Sequence, residues 1–253
     1  MRLFDLTGKK AIVTGAAQGL AKGMAEGLME AGAEVSIIDI NPKVKTVAEE
    51  YVKAGYQCHA VIGNLADREN LERAYGEALD SLGGRLDIII NAAGIQKRHF
   101  SEEFPIEDWD LVMEINLNAV FQLCQLAGKQ FISQKSKGKI INIASMLSYF
   151  GGYTVPAYAA SKGGVAQLTK ALCNEWAKKG INVNAIAPGY MATDMNTALI
   201  GDETRNVEIL ARIPANRWGT PEDIKGIAIF LAAEASDYLN GEIIPCDGGY
   251  LAR

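Results

Sequence analysis

Short apolar runs alternate with longer amphipathic segments from one end of the sequence to the other. The apolar runs have the length of buried strands and lie at residues 9–14, 34–39, 57–63, 87–91, 139–144, 182–187 and 242–245. The amphipathic segments have the length of helices and lie at residues 20–31, 43–54, 68–82, 108–133, 155–179 and 221–233. Because continuous apolar strands that alternate with helices form a parallel sheet covered on both faces, this order predicts a doubly wound α/β fold.

The chain is predicted to form one domain over residues 1–253, since no linker, charge block or low-complexity segment divides it. Its least regular part is 193–218, which follows the C-terminal end of a predicted strand and has no strand partner. A segment at that edge of a parallel sheet is well placed to cover a bound substrate. We therefore expect a substrate lid at residues 193–218.

Charge and cysteine content limit the possible partners. A formal net charge of −5 argues against a nucleic-acid-binding surface. The four cysteines are far apart and fit no metal-binding spacing, so we expect no metal site and a reducing compartment. The first residues lack the apolar core of a signal peptide, and no apolar run approaches the ~20 residues of a membrane span. A cytoplasmic protein with neither a nucleic-acid nor a membrane partner is the expectation.

The stretch from Tyr158 to Lys162 carries the strongest chemical signal. On a helix these two residues lie at positions i and i+4, so the phenol and the ammonium share one face. A nearby ammonium favours the phenolate and is expected to lower the tyrosine pKa from its reference of about 10. Such a phenol can exchange a proton with a carbonyl or an alcohol, and Ser145, at the end of a predicted strand, could hydrogen-bond the same oxygen. A solvated helix face is the alternative, although of nine tyrosines only Tyr158 has a lysine four residues later.

A glycine-containing turn between the first strand and the first helix predicts a dinucleotide site. Gly15 and Gly19 lie in this turn, where glycine permits close approach of backbone N–H groups to a pyrophosphate. A purely structural turn is the alternative. Asp39 ends the second strand about 20 residues on, where a carboxylate accepts hydrogen bonds from ribose hydroxyls and repels a 2′-phosphate. With no arginine in the turn or in Ile40 and Asn41, NAD is predicted in preference to NADP.

These residues, taken in order, make the whole chain resemble the short-chain dehydrogenase/reductase family, which has a Rossmann-like fold. Thr14, Gly15 and Gly19 fit the glycine pattern of the family, T-G-x-x-x-G-x-G, whereas Ala21 departs from it at the last position. Residues 91–94, Asn-Ala-Ala-Gly, are similar to its N-x-A-G segment. The resemblance implies cofactor contacts from Gly15, Gln18, Gly19, Leu20, Asp39, Asn64, Leu65, Asn91, Ala92, Gly94, Tyr158, Lys162, Pro188, Gly189, Met191 and Thr193.

The resemblance also implies a reaction, hydride transfer between a nicotinamide and a carbinol carbon, and a catalytic set. Tyr158 matches the general acid/base, and Ser145 matches the residue that steadies the substrate oxygen. Lys162 matches the residue that lowers the tyrosine pKa and binds the nicotinamide ribose, and Asn116 matches the residue that holds a relay water. For Asn116 a helix-bending polar residue is the alternative. The family usually forms tetramers through its two long helices and C-terminal strand, so a homotetramer is expected.

Residues 139–152, 174–193 and 208–219 are similar to members of the family that act on sugar acids, which implies a small sugar-acid substrate. An acid substrate requires a cation, because the net charge of the protein opposes its approach. Arg98, Lys97 and Arg217 are candidates, and Arg98 is favoured because its planar fork binds a carboxylate in bidentate fashion. Gln96, Tyr153 and Tyr190 are predicted to contact the substrate, with Met146 as a further lining residue and His99 more simply a surface residue.

Two other functions stay open at this point. A non-catalytic NAD-binding regulator on the same fold would show damage to the catalytic set, which is intact here. A reductase of carrier-bound acyl chains would favour NADPH and a basic docking surface for its acidic carrier. Asp39 and the negative net charge both disfavour that second function.

Overall fold

Seven strands form one parallel sheet in the order β3-β2-β1-β4-β5-β6-β7 in the computed structural model, which describes residues 2–253 apart from the side chain of Met195. The strands are β1 Lys10–Thr14, β2 Glu34–Asp39, β3 Cys58–Ile62, β4 Ile88–Asn91, β5 Gly138–Ile143, β6 Ile181–Pro188 and β7 Ile243–Cys246. The order reverses between β1 and β4, and an open parallel sheet leaves a crevice at the carboxyl ends of its strands at such a switch point. The predicted doubly wound α/β fold is confirmed.

Helices cover both faces of this sheet. They are α1 Gly19–Glu30, α2 Lys43–Lys53, α3 Arg68–Ser81, α4 Ile106–Met113, α5 Ala119–Gln134, α6 Pro156–Trp176, α7 Thr197–Gly201, α8 Glu203–Arg212 and α9 Pro221–Ala232. Helices α1, α2 and α9 pack on the face that carries Ala11 and Val13, and α3, α5 and α6 pack on the face that carries Ile12. Both sides of β1 are therefore buried, which is why its sequence is continuously apolar rather than alternating.

The long helix predicted over residues 108–133 is interrupted in the structure. Helix α4 begins two residues earlier, at Ile106, and is separated from α5 by a π-helical segment, Glu114–Asn118. The buried Asn116 lies in the middle of this segment, and its side chain is hydrogen-bonded to the backbone of Ile95 in another part of the chain. A π-bulge turns a helical side chain away from its regular position, often at functional sites. The prediction of one regular helix was therefore wrong at Asn116.

The segment 193–218, predicted to be the least regular part, contains the two helices α7 and α8. Asp202 caps α8, because its side-chain oxygen accepts a hydrogen bond from the Arg205 N–H at 3.0 Å. At the base of the segment, Met191 and Gly219 pair in an isolated β-bridge outside the seven strands, so the two ends of the segment are held together. Among the described residues, no helix combines the length and apolar character needed to cross a membrane.

Candidate active site

A cavity of about 440 Å³ lies at the carboxyl ends of the strands, at the switch point between β1 and β4. Its volume is in the range typical of ligand pockets. Of the residues predicted to contact the cofactor, those that line it are Gly15, Gln18, Gly19, Leu20, Asp39, Asn64, Leu65, Ala92, Gly94, Tyr158, Lys162, Pro188, Gly189, Met191 and Thr193. Ser145 lines it as well. One cavity thus brings together residues that are spread over most of the sequence.

Asn91 is the predicted cofactor residue that the structure places elsewhere. Its side-chain amide donates hydrogen bonds to Asn142 Oδ1 at 2.9 Å and to Cys124 Sγ at 3.3 Å, in a buried network that Thr169 extends. Its side chain does not line the cavity, because strand alternation directs it between β5 and α5. The structure therefore assigns this side chain to the internal packing of the sheet and corrects the expectation of a cofactor contact.

The glycine turn lies tightly against the loop that follows β4. Gly15 has a φ of +74°, and a Cβ atom there would lie 2.7 Å from the Cα atom of Ala93, so no larger residue fits without a shift. Helix α1 begins next to the turn, and its N-cap residue Gln18 makes no side-chain capping hydrogen bond. The first N–H groups of α1 therefore stay available beside the cavity, as an anionic pyrophosphate requires.

The carboxylate of Asp39 connects the glycine turn to the second strand. Its Oδ2 accepts a hydrogen bond from the Ala17 N–H at 2.9 Å, and its Oδ1 accepts one from the Asn41 N–H at 2.8 Å. These bonds fix the orientation of the carboxylate at the cavity wall. Each oxygen retains a further lone pair, so the group can still accept hydrogen bonds from a ligand.

Ser145, Tyr158 and Lys162 lie together in the wall of the cavity. Ser145 follows β5 and caps a short 3₁₀ helix, with its Oγ accepting a hydrogen bond from the Leu147 N–H at 3.1 Å. Tyr158 and Lys162 lie one turn apart on α6, and the Lys162 Nζ is 5.6 Å from the centroid of the Tyr158 ring. The same ammonium donates a hydrogen bond to the Ile143 carbonyl at 2.6 Å. The predicted i, i+4 arrangement is present, and the hydrogen bond from Lys162 to Ile143 connects it to the end of β5.

Burial dominates the electrostatics of this group. It raises the pKa of Tyr158, and the nearby Ser145 hydroxyl acts in the opposite direction with a smaller effect. Burial also lowers the pKa of Lys162 to about 8. The expectation of a lowered tyrosine pKa was therefore wrong, because the phenol is removed from solvent and the ammonium one turn away does not offset that burial.

Asn116 organises the loop that follows β4. Its Oδ1 accepts a hydrogen bond from the Ile95 N–H, and its Nδ2 donates to the Ile95 carbonyl, both at 2.9 Å. The Nδ2 also donates to Ser161 Oγ at 3.2 Å, so both amide hydrogens are used and α6 is connected to the loop. A Cβ atom on Gly94 would lie 3.2 Å from Asn116 Oδ1. Fixing this loop is a role for Asn116 that its sequence position does not reveal.

Of the residues predicted to contact substrate, Ser145 and Tyr158 line the cavity, whereas Gln96, Arg98, Tyr153 and Tyr190 do not. Gln96 and Tyr190 follow Ile95 and Gly189, which do line it, so both adjoin the cavity through the backbone. The Tyr190 ring makes edge contacts with Trp218 and Tyr250, with centroid distances of 5.4 Å in each case. Met146, next to Ser145, packs in the same cluster. The segment 193–218 thus packs onto the chain beside the catalytic group.

Tyr153 lies away from this cluster. Its side chain is 69% exposed, and its ring contacts that of Phe100 at a centroid distance of 6.3 Å. The loop that carries it is tied to the loop after β4 by a hydrogen bond from the His99 N–H to the Thr154 carbonyl. The prediction of Tyr153 as a pocket-lining residue is therefore not supported by its position.

The three candidate cations differ in their partners. Lys97 Nζ lies 3.0 Å from Asp108 Oδ1, and His99 Nε2 lies 2.8 Å from the other oxygen of that carboxylate. Arg217 forms a bidentate pair with Asp223, at 2.6 and 2.7 Å. Arg98 donates to the neutral Gln96 Oε1 at 3.3 Å and has no carboxylate partner in the described part of the chain. Of the three, Arg98 alone keeps an uncompensated charge.

Other residues of the cavity wall were not predicted from the sequence. They include Ile38, Ile40, Asn41, Ile115, Asp194 and Asn196. The first three extend the end of β2 and could have been found from the rule that ligands bind beyond strand ends. Ile115 is brought to the cavity by the π-helical segment, for which the sequence gives no separate signal.

Comparisons with known proteins agree with this geometry. The profile of a family described as enoyl-(acyl carrier protein) reductase matches residues 15–251. The chain is 48% identical over 250 residues to 2-dehydro-3-deoxy-D-gluconate 5-dehydrogenase of Escherichia coli K12, covering 99% of this chain and 98% of that protein. It is 40% identical over 250 residues to 5-keto-D-gluconate 5-reductase of the same strain, covering 98% of each. A crystal structure from Agrobacterium tumefaciens, provisionally named 2-deoxy-D-gluconate 3-dehydrogenase and solved with bound NADP, is 46% identical over 100% of both chains with a TM-score of 0.93.

Replacing Lys162 by methionine should change how stability depends on pH. The folded protein loses a proton from Lys162 near pH 8, whereas the unfolded chain keeps it up to about 10.5. Wild-type stability should therefore rise relative to Lys162→Met between these values, by on the order of 2 kcal/mol, because the buried ammonium no longer has to stay charged. Urea unfolding at pH 7 and pH 9.5 measures the difference. The same substitution at the exposed Lys170 of α6 is the control, and equal pH trends for both variants would contradict the assigned environment of Lys162.

Proposed function

This chain belongs to the short-chain dehydrogenase/reductase family, and on that basis we propose that it is an NAD-dependent 2-dehydro-3-deoxy-D-gluconate 5-dehydrogenase of uronate breakdown. The reaction class is supported by one observation: Ser145, Tyr158 and Lys162 line the same cavity as the glycine turn. The substrate is supported by the 48% identity with the E. coli dehydrogenase of that name over nearly the full length of both chains. In this proposal the enzyme reduces the 5-keto group of 2,5-diketo-3-deoxygluconate.

The residues present fit a nicotinamide dinucleotide. The cavity is continuous from the turn at Gly15 to Tyr158, and the uncapped N-terminus of α1 and the Asp39 carboxylate suit a pyrophosphate and ribose hydroxyls. We propose that the cofactor residues predicted from the sequence hold it, with Asn91 acting only through packing. When bound, the nicotinamide supplies the hydride for carbonyl reduction.

Side chains of the protein itself donate the proton and stabilise the groups involved in its transfer. We propose that Tyr158 donates its phenolic proton to the substrate oxygen, and that Ser145 hydrogen-bonds the same oxygen and orients it. In this proposal Lys162 stabilises the phenolate that remains after proton transfer, because its ammonium lies one turn away on α6. Asn116 keeps the loop after β4 in position beside them. General acid–base catalysis of this kind increases the reaction rate roughly 10²–10⁴-fold.

Gluconate 5-dehydrogenase is the second candidate function. It is supported by the 40% identity with 5-keto-D-gluconate 5-reductase, which covers 98% of each chain. Both activities reduce a 5-keto group of a six-carbon acid and can use the same catalytic residues. The acyl-carrier-protein reductase alternative is disfavoured by Asp39 and the net charge of −5, and the regulator alternative by the assembled catalytic group.

For the cofactor we propose NAD, although the related structure from A. tumefaciens holds NADP. The reason is electrostatic, because the Asp39 carboxylate lines the cavity and is fixed there by two backbone N–H groups. A 2′-phosphate next to this carboxylate would place like charges together. Among the described residues the cavity wall includes no arginine to offset that repulsion.

The proposal extends to the domain organisation, the location and the oligomeric state of the protein. We propose that residues 1–253 act as one domain in which 193–218 serves as the substrate lid. We further propose a cytoplasmic homotetramer, as expected from the family and the composition. Helix α5 leaves apolar residues for such an interface, since Phe121 is 46% and Ile132 45% exposed.

Steady-state oxidation of NADH with 2,5-diketo-3-deoxygluconate and 5-ketogluconate in parallel tests the substrate. We expect kcat/KM to be at least about tenfold higher for the 3-deoxy compound, a difference of about 1.4 kcal/mol in transition-state binding. The reverse preference would move the assignment to gluconate 5-dehydrogenase. Turnover of neither compound would contradict both candidate functions.

Changing Tyr158 to phenylalanine tests the proton donor. Removal of one hydroxyl should lower kcat by roughly 10²–10⁴-fold, because the proton can no longer be delivered from that position. The Kd for NADH, measured by fluorescence titration, should stay within about twofold. Tyr238→Phe is a matched control, because that side chain is fully exposed to solvent. Substantial activity in the Tyr158 variant would remove this residue from the mechanism.

The Asp39→Ser substitution tests cofactor choice. The wild-type enzyme should prefer NADH to NADPH by at least about tenfold in kcat/KM, and the variant should lose most of this preference because the like-charge repulsion is gone. Glu49→Gln, which removes an exposed carboxylate on α2, controls for net charge. An unaltered NADH/NADPH ratio in Asp39→Ser would show that another feature sets the preference.

A further inference from the structure

An unbalanced positive charge lies on the loop that follows β4, three residues after Ile95 of the cavity wall. Lys97 and Arg217 are each paired with a carboxylate, but Arg98 is not. Arg205 of α8 is close enough to act electrostatically on Arg98, and its side chain also has no carboxylate partner within the described residues 2–253. Two guanidinium groups with no counter-charge therefore occur together, one from the loop after β4 and one from the segment 193–218.

The helical periodicity places Arg205 on the face of α8 that packs against Met146, the neighbour of Ser145. Arg205 and Ile209 lie at i and i+4 on α8, so their side chains share one face. Ile209 is buried in a cluster with Met146 and Tyr250, and Met146 is the neighbour of Ser145 in the chain. Arg205, unlike the exposed Glu203 and Glu208 of the same helix, is half-buried. Arg212, the other arginine of α8, is exposed and lies over the Tyr250 ring at 4.6 Å from its centroid, so Arg205 is the more buried of the two cations on this face.

Side-chain contacts fix this part of α8 against Tyr190. Asn206 Oδ1, next to Arg205, accepts a hydrogen bond from Trp218 Nε1 at 2.7 Å. The Trp218 ring in turn contacts the edge of Tyr190, with centroids 5.4 Å apart. Tyr190 follows Gly189 of the cavity wall. The residue next to Arg205 is therefore connected through Trp218 to the tyrosine beside the cavity.

The arrangement is electrostatically unfavourable without an anion. Burial lowers the pKa of Arg98, and the positive charge of Arg205 lowers it further, although Arg98 stays accessible to solvent. Like charges held together in a partly desolvated place repel each other, and an anionic ligand that bridges them removes this repulsion. A carboxylate is the anion whose geometry matches the planar fork of a guanidinium.

We propose that Arg98 and Arg205 form a two-guanidinium clamp for the carboxylate of the substrate, so that α8 contributes a residue that selects acids. This inference rests on the proposed function and extends it, because it assigns the acid end of the substrate to a residue of the lid. The carbonyl that is reduced then lies toward Ser145 and Tyr158, and the carboxylate lies between the loop after β4 and α8. No bond is made or broken in this step.

Substitution of Arg205 by glutamine tests the clamp by comparing 2,5-diketo-3-deoxygluconate with its neutral C1 carboxamide. The KM for the acid should rise roughly 10- to 100-fold, the size of a lost charge-assisted hydrogen bond, while the KM for the amide changes less than about twofold. Arg205→Lys should be intermediate, since lysine keeps the charge but not the fork. A purely structural role would raise both KM values alike, and that result overturns the proposal.

Arg217→Gln is the matched control for this experiment. It removes a guanidinium from the same segment, but one already held by Asp223, so the ratio of the two KM values should stay at that of wild type. Circular dichroism and thermal unfolding show whether each variant is folded. A change in the ratio for Arg217→Gln equal to that for Arg205→Gln would overturn the assignment of Arg205.

A binding measurement separates failure of the clamp from failure of the proposed function. Calorimetric titration of D-gluconate into the enzyme–NADH complex needs no turnover. Binding by the wild type that weakens at least about tenfold in Arg205→Gln supports the clamp, even if neither keto acid is reduced. Equal binding by the two proteins, or no binding by the wild type, overturns it.

Discussion

Burial of both faces of a parallel sheet is the constraint on which the arrangement of the site depends. Every residue of β4 and β6 is buried, so these strands have no face on which to present polar groups to a ligand. Polar side chains that remain inside the sheet pair with one another, as Asn91 does with Asn142. Those that face the cavity lie at or beyond the strand ends, where Asp39 closes β2 and Ser145 follows β5. Chemistry is therefore concentrated at one edge of the sheet.

The same constraint explains why the strands could be predicted so closely. A strand buried on both sides needs a continuous apolar run, and each predicted run agrees with the observed strand to within one residue at either end. The glycine turn and Asp39 also lie in the cavity wall, because their positions relative to the strands are set by the sheet. Features that depend only on local pattern and strand order could thus be predicted from the sequence.

The features that could not be predicted depend on partners distant in the chain or on burial. The π-helical segment accompanies a hydrogen bond from the Ile95 N–H to Asn116, 21 residues later. Lys97 and Arg217 look like free cations in the sequence, and only folding brings Asp108 and Asp223 to them. The i, i+4 spacing of Tyr158 and Lys162 indicates attraction between a phenolate and an ammonium but says nothing about the loss of solvent. Burial opposes both charged forms and reverses the expected direction for the tyrosine.

The part of the site on α6 and after β5 and the part on α8 differ in how they are joined to the protein core. Ser145, Tyr158 and Lys162, to which we assign the chemistry, lie after β5 and on α6 beside the core, so a change there can disturb the sheet as well as the reaction. Helix α8 packs instead in a separate small cluster, to which it contributes Ile209 and its C-cap residue Ile213, and the bridge between Met191 and Gly219 joins the two ends of its segment. Substitutions on α8 can thus alter which acid is recognised while leaving the proton-transfer group in place. A family that retains one reaction and varies its substrates is expected to vary such a segment first.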